Sequence, residues 1–388
     1  MSLAAILSAS RAVAESSGTM RASLHFAGQT LIEYQARQAV QAGADRILIL
    51  VGTITPQLSQ AVDRLGAEGI AVALVRDMVS MVRDAPRNSD VLLVADGAVI
   101  AQAHFDALGG VEGDALLVAD DSRASAQFER IDAGQRWAGL ARITPALLFD
   151  TLDMIGDWDM ALTLVRAAVQ KGARRVTVPQ DDLLEGRVTT VESQQQADLV
   201  ARAVTDAGVG GAGGRGGAEH YLLAPLARMI GPSLMRMQVP ALQVRIGAIA
   251  LAAIALVPIE LGWPTTGFLV LFLALLLSEC SDRLDQLALR GDRVGWIALC
   301  TPGLALLGIV LAGATPLAMD LALILGIIGI ADRRRRVGRA SPWMIFTPAT
   351  ALLILMLAGA GGVLALGIRA AMLLAIASVA ALLLRGNE

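Results

Sequence analysis

The sequence predicts a doubly wound α/β domain with a mostly parallel sheet, followed by an all-α membrane bundle of six transmembrane helices. Three observations lead there. Short apolar runs alternate with helical patterns over roughly the first 200 residues. A glycine-rich stretch, AGVGGAGGRGG at 207–217, then breaks the pattern. From residue 246 onward the chain is almost continuously apolar, with its charges gathered in short clusters. The charge balance divides the same way. Residues after Gly217 carry 13 Arg against 9 Asp and Glu, a net +4, while the rest holds 19 basic and 26 acidic residues, a net −7. An acidic cytosolic domain on a basic membrane module has this asymmetry.

In the first part, five apolar runs read as buried strands: 46–51 (RILILV), 70–75 (IAVALV), 91–95 (VLLVA), 115–119 (ALLVA) and 175–178 (RVTV). Helical spacing falls at 35–42, 55–65, 144–155 and 160–170, the first and last closing at Gly43 and Gly172. The opening residues, 1–14, are only briefly apolar and lack a basic segment before a long apolar one, so no signal peptide is expected. The domain boundaries expected are 1–206 for the α/β part, 207–217 for the linker, 218–245 for an interfacial helix and 246–388 for the membrane part.

Several chemistries are narrowed by composition. Cys280 and Cys300 are the only cysteines and fall in or near membrane helices, which argues against a disulfide framework or a thiolate metal site. His25, His104 and His220 have no metal-ligand spacing. Lys171 is the sole lysine. No nucleic-acid partner is expected. In open parallel sheets ligands bind outside the carboxyl ends of strands, and Asp96 stands there after VLLVA, followed by Gly97. Asp120 and Asp121 also follow a strand, as a glycosyltransferase-type acidic pair or in a purely structural role. Asp157 and Asp159 precede a helix, where aspartate is an ordinary N-cap.

The second part opens with 221–243, in which Arg228, Arg236 and the following Arg245 are spaced among apolar residues. This reads as an amphipathic surface helix whose arginines meet anionic headgroups. Six apolar spans follow at 246–263, 265–277, 296–313, 315–331, 342–358 and 361–384, joined in part by turns at Gly262 and at 359–362. Arg283, Arg290 and Arg293 lie between spans two and three, Arg333–Arg336 and Arg339 between four and five, and Arg385 after six. The opposite loops hold no Arg or Lys, so both termini are expected on the cytoplasmic side. Asp282 and Asp285, three residues apart on one helix face beside a membrane segment, are candidate functional carboxylates. Asp320 and Arg369, in spans four and six, are expected to pair.

Two resemblances accompany these readings. Residues 28–52 (GQTLIEYQARQAVQAGADRILILVG) look like the helix and following strand of the nucleotidyltransferase family with a GT-A-like fold. SGTMR at 17–21 stands where that family has its phosphate loop, and VLLVADGAV resembles its strand ending in a metal-binding aspartate. VESQQQADL at 191–199 takes the place of the family's late acidic segment. The resemblance covers about 15–205 and implies Gly18 and Arg21 as phosphate contacts and Asp96 and Glu192 as ligands for Mg²⁺ or Mn²⁺. The family's successive glycines and its Pro-Lys are missing. A retained fold with a relaxed or lost site therefore stands beside active nucleotidyl transfer.

The region from about 221 to 384 looks like the CDP-alcohol phosphotransferase family, whose signature D-x-x-D-G-x-x-A-R lies at the end of span two. Here Asp282, Asp285 and Arg290 keep its acids and arginine, Gln286 and Leu289 replace its Gly and Ala, and the later acidic pair is absent. The resemblance implies metal at Asp282 and Asp285 and a phosphorylated ligand at Arg290, Arg333 and Arg334. It further implies CTP or a CDP-alcohol as partner, membrane lipids, a homodimer, and a place in a bacterial-type inner membrane. The functional expectation is a membrane protein of the CDP-alcohol and phospholipid-headgroup synthesis lineage, with phospho-alcohol transfer reduced or lost. A non-catalytic binding or scaffold subunit of a lipid-synthesis enzyme is the alternative, and a transporter a third.

Overall fold

The computed structural model describes the chain except residues 1, 14–18, 153–158, 212–216, 224, 228, 231–240, 288, 290–295, 335–345 and 386–388. The chain divides into two compact units, Met1–Asp206 and Ala207–Glu388.

The first unit is built on a twisted sheet of mostly parallel strands. Its centre is β1 (Leu3–Ala9), a strand with all seven residues buried. On one side lie β4 (Ala44–Val51) and β5 (Ala71–Val75), successively parallel; on the other lies β6 (Asp90–Val94), also parallel to β1. Beyond β6 come β10 (Gln135–Ile143), antiparallel to both its neighbours, then β8 (Ala115–Asp120) and β11 (Arg174–Thr177). Short strands complete the unit: β2 (His25–Phe26) with β3 (Gln29–Thr30), β7 (Ala98–Ile100) with β12 (Val188–Thr190), and β9 (Glu129–Arg130) on β10.

Helices cover both faces, because a strand buried on both sides must have apolar partners above and below. Leu3, Ala5, Leu7 and Ala9 pack in one core with α1 (Leu31–Gln41), α2 (Pro56–Ala67) and α4 (Gln102–Gly109). Ala4 and Ile6 enter the other core with α3 (Met78–Asp84), α5 (Pro145–Leu152) and α6 (Met160–Gln170). The helix α7 (Gln180–Leu184) precedes β12, and α8 (Gln194–Gly211) begins in this unit and continues past its last residue, Asp206. The strands and helices expected from the sequence are present, with ends shifted by a few residues. β1 and β10 were not expected: LAAILSA is rich in alanine, and QRWAGLARI carries two arginines. Strands on both edges and helices on both faces enclose the first, while Arg142 of the second is held by Asp90 at 2.6 Å and by the Gly109 carbonyl at 2.6 Å. The helix α8 runs through Gly211, so part of the expected linker continues a helix.

The second unit is helical. After a π-helical turn at Glu219–Leu223 come α9 (Ala241–Ile254), α10 (Leu256–Glu260), α11 (Pro264–Leu287), α12 (Ile297–Gly313), α13 (Pro316–Arg334), α14 (Pro348–Ala360) and α15 (Leu364–Arg385). Among the described residues three stretches are long and apolar enough to cross a membrane: Ala241–Glu260, Pro264–Asp285 and Leu364–Ala381. Ile297–Gly313, Pro316–Ile330 and Pro348–Ala360 are apolar but shorter. Small residues let the helices approach closely. A Cβ on Gly308 of α12 would lie 2.5 Å from Leu271 of α11, and one on Gly367 would lie 2.4 Å from the Ala358 Cβ. Gly262 and Gly362, at φ +85° and +70°, make the turns placed there from sequence.

Three expectations are corrected here. The second span was drawn as the shortest, ending at 277, yet α11 runs for 24 residues through Asp282 and Asp285. Falling hydropathy does not end that helix, because the carboxylates are neutralised in place. Arg245 was assigned to the membrane surface; it is 2 % exposed, inside α9, and bonded to those carboxylates. Asp320 and Arg369 make no ion pair with each other among the described residues, and both are exposed, pointing away from the packed interior. Arg228 and Arg236 lie outside the described residues.

Candidate functional site

In the first unit the chain runs from β1 outward to β4 and β5 and then returns to β6 on the opposite side of β1. The crevice at the carboxyl ends of β1 and β6 is thus a topological switch point, the usual ligand position in such sheets. Ser10 and Arg11 follow β1, and Asp96 follows β6. The Asp96 carboxylate is buried, and its Oδ2 accepts the backbone N–H groups of Ser10 at 2.8 Å and Arg11 at 2.6 Å. Its Oδ1 is buried with no hydrogen bond among the described residues. Burial raises the carboxyl to about 6, against the pull of those two N–H groups and of Arg21 and Arg11.

Arg21 begins a short 3₁₀ turn, Arg21–Ser23, tied down by its own N–H to the Arg11 carbonyl at 2.9 Å. Its Nη2 lies 2.9 Å from Glu192 Oε1. Its Nε and Nη1 are buried without a hydrogen-bond partner among the described residues. Gly97 links these pieces. Its carbonyl accepts the Val191 N–H at 2.8 Å, which places Glu192 beside the Asp96–Gly97 turn. At φ +78°, a Cβ on Gly97 would stand 2.6 Å from the Val191 carbonyl oxygen and 3.5 Å from Arg21 Cδ. Only glycine fits there.

The fold therefore gathers three of the residues singled out from sequence: Arg21, Asp96 and Glu192. Gly18 lies outside the described residues. The backbone donors of Ser10 and Arg11 escaped the sequence reading because β1 did. Once β1 is recognised as central, its carboxyl end beside Asp96 is the signal that finds them. Asp121 and Asp159, also singled out from sequence, have structural partners. Asp121 bonds Arg136 at 2.7 Å, and that bond holds its carboxyl below the ordinary range. Asp159 caps α6 through the Ala161 and Leu162 N–H groups and lies 3.5 Å from Arg11. Asp157 lies outside the described residues. Lys171 pairs at the surface with Asp150, at 2.7 Å.

In the second unit Asp282 and Asp285 do share one face of α11. Arg245 Nη1 lies 2.9 Å from Asp282 Oδ1, and Nη2 lies 2.6 Å from Asp285 Oδ2. One guanidinium thus supplies the positive charge that the sequence reading gave to a divalent ion. Arg290 lies outside the described residues, and Arg333 and Arg334 are described only as the helical close of α13. A cavity of ≈ 200 Å³ lies among α11, α12, α13 and the start of α14, with Glu219, Ser278, Glu279 and Thr347 as its polar lining and mostly leucine, isoleucine and glycine elsewhere. Arg283 approaches Glu279 to 3.4 Å. No group of three or more His, Cys, Asp or Glu side chains is placed to hold a metal among the described residues.

No protein-family model and no curated protein matches this chain. A solved structure of UDP-glucose pyrophosphorylase complexed with UDP-glucose is similar to it at a TM-score of 0.39 and 9 % identity, over 53 % of this chain and 100 % of that one. A likeness of that degree carries no functional argument.

Proposed function

We propose that this chain is a membrane protein of the CDP-alcohol and phospholipid-headgroup synthesis lineage, whose nucleotidyltransferase-like α/β unit binds a nucleotide phosphate at Asp96 and Arg21. One observation carries the reading. A buried carboxylate oxygen and two buried guanidinium N–H groups, none with a hydrogen-bond partner among the described residues, stand together at the sheet's switch point. Arg21 is suited to phosphate oxygens, having more donors than Glu192 uses. Mg²⁺ or Mn²⁺ is commonly held by one or two carboxylates together with substrate phosphates. Asp96 Oδ1 fits an ion that arrives with the ligand. A resident ion caged by protein alone does not fit, since no third carboxylate, histidine or cysteine converges there among the described residues. The metal's contribution is to neutralise phosphate charge; Ser10 and Arg11 hold the Asp96 carboxylate in place, and Arg21 binds.

The Arg245 contact favours a second reading for the membrane half, as a non-catalytic binding or scaffold part of a lipid-synthesis assembly. With both carboxylates on one guanidinium, Asp282 and Asp285 have given up metal-assisted transfer, and the mostly apolar cavity suits a membrane lipid. In this reading the three shorter apolar helices complete six crossings of a bacterial-type inner membrane. The arginine-rich loops and both termini are cytoplasmic, and the unit works as a homodimer. Calorimetric titration of the full chain in detergent with CTP or a CDP-alcohol, with and without Mg²⁺, tests the proposal. Micromolar binding that is lost in Asp96→Ala and Arg21→Ala is expected. No binding, or binding indifferent to both substitutions, sinks it.

A further inference from the structure

We infer that Glu192 is an internal stand-in for the ligand's phosphate: it occupies Arg21 while the site is empty and is displaced when a phosphate arrives. The inference rests on the phosphate-site reading above and gives Glu192 a different part from the metal ligand that the family resemblance implies. Three features point to it. First, the pair is unequal. The Arg21 side chain is 12 % exposed and the Glu192 side chain 55 %, so the carboxylate can swing into water at little cost while the guanidinium stays. Second, the contact is monodentate. Glu192 Oε1 takes Nη2 at 2.9 Å, leaving Nε and Nη1 buried without hydrogen-bond partners among the described residues. A phosphate can offer oxygens to all three nitrogens, so the exchange raises the number of charge-assisted bonds. Third, only a side chain has to move. Arg21 is fixed through its N–H to the Arg11 carbonyl, and the Glu192 backbone is positioned by the Val191 N–H to Gly97. The ligand class is therefore a terminal phosphate with free oxygens, from a nucleoside triphosphate or from an inorganic polyphosphate.

A half-exposed ion pair contributes little stability, so releasing Arg21 in advance strengthens anion binding by about 1.5- to fivefold. Removing any nearby negative charge also favours anions, and a double-mutant cycle separates the two effects. Full-length protein in detergent is titrated with inorganic tripolyphosphate in EDTA, and with CTP in EDTA and in Mg²⁺, using wild type, Glu192→Gln, Arg21→Gln and the double variant. The expected result is a gain of about 1.5- to fivefold for Glu192→Gln in EDTA that disappears when Arg21 is already glutamine. A gain for CTP alone assigns the displaced contact to the nucleotide; an equal gain for tripolyphosphate assigns it to the phosphate chain. An unchanged or weakened Glu192→Gln overturns the inference, as does a gain that persists without Arg21. A weakening seen only in Mg²⁺ returns Glu192 to metal binding. Wild type that binds while Glu192→Gln binds no better defeats this inference alone, whereas no binding by any variant defeats the phosphate-site reading as well.

Discussion

Replacing Asp96 with asparagine should make the α/β unit more stable while abolishing Mg²⁺-dependent nucleotide binding. The carboxyl is raised from 3.8 to about 6 by burial. A carboxylate raised in this way binds its proton more tightly folded than unfolded, so the folded state loses stability as pH rises from about 4 to about 6. The full cost is present above that window and absent below it. Two pH units correspond to roughly 3 kcal/mol as an upper bound. Asparagine still offers an oxygen to the Ser10 and Arg11 N–H groups, but its amide N–H₂ faces the position where Oδ1 has no partner among the described residues, which costs about 1 kcal/mol or more. A net gain of about 1–2 kcal/mol remains at pH 7.5, or about 2–8 °C for a unit of this size. The assay is thermal unfolding of the full chain in detergent from pH 4 to 8, with hydrogen exchange of the β1 and β6 segments as the local readout. The variant should melt above wild type at pH 7.5, and the difference should shrink and reverse toward pH 4, where only the cost of the unpaired amide remains. A variant that melts lower at pH 7.5, or a difference that does not change with pH, refutes the claim that Asp96 is held ionised at a cost for the sake of a ligand.

Other perturbations have equally direct outcomes. Glu33, buried at the start of α1, accepts from the Thr30 N–H at 2.9 Å and from Arg64 at 2.9 Å; burial acts to raise its carboxyl, but these bonds outweigh it and bring it to about 2. Its contribution is present above the unfolded value of 4.5 and lost as pH falls toward 2, so Glu33→Gln should cost roughly 1–3 kcal/mol at neutral pH, discounted for the half-exposed Arg64, and should flatten acid unfolding. Arg245→Leu strands two buried carboxylates and should destabilise the membrane unit by about 3–5 kcal/mol. Adding Asp282→Asn and Asp285→Asn should restore much of that in detergent melts. Gly97→Ala meets both an unfavourable φ and the Val191 oxygen and crowds Arg21 Cδ at 3.5 Å, so it should cost at least about 1–2 kcal/mol and weaken phosphate binding by shifting Asp96 and Arg21, as read by the same titration.

Much of this was legible in the residues alone. RILILV at 46–51 and VLLVA at 91–95 announce buried parallel strands, because only a strand covered on both faces tolerates an unbroken apolar run. VLLVA followed by Asp96 and Gly97 marked the site's position. What escaped the reading has a physical cause in each case. LAAILSA is too small and too plain to declare itself, yet it is the central strand, paired on both edges by β4 and β6 and buried by the helices on both faces of the sheet. Arg245 is an arginine in an apolar segment, a pattern that fits the membrane surface equally well. Its partners are forty and thirty-seven residues away in sequence, and only the packing of α9 on α11 brings them within reach.

The sequence by itself determined the division into an α/β unit and an apolar helical unit, since hydrophobic periodicity and charge placement are local properties of the chain. Tertiary structure alone decided what the charges do. Among the described residues Asp96 has one carboxylate oxygen without a hydrogen-bond partner, Arg21 is shared with an exposed glutamate, and Asp282 and Asp285 are neutralised by Arg245. A carboxylate's chemistry depends on which charge lies within a few ångströms of it, and that distance is set by packing between segments remote in the chain.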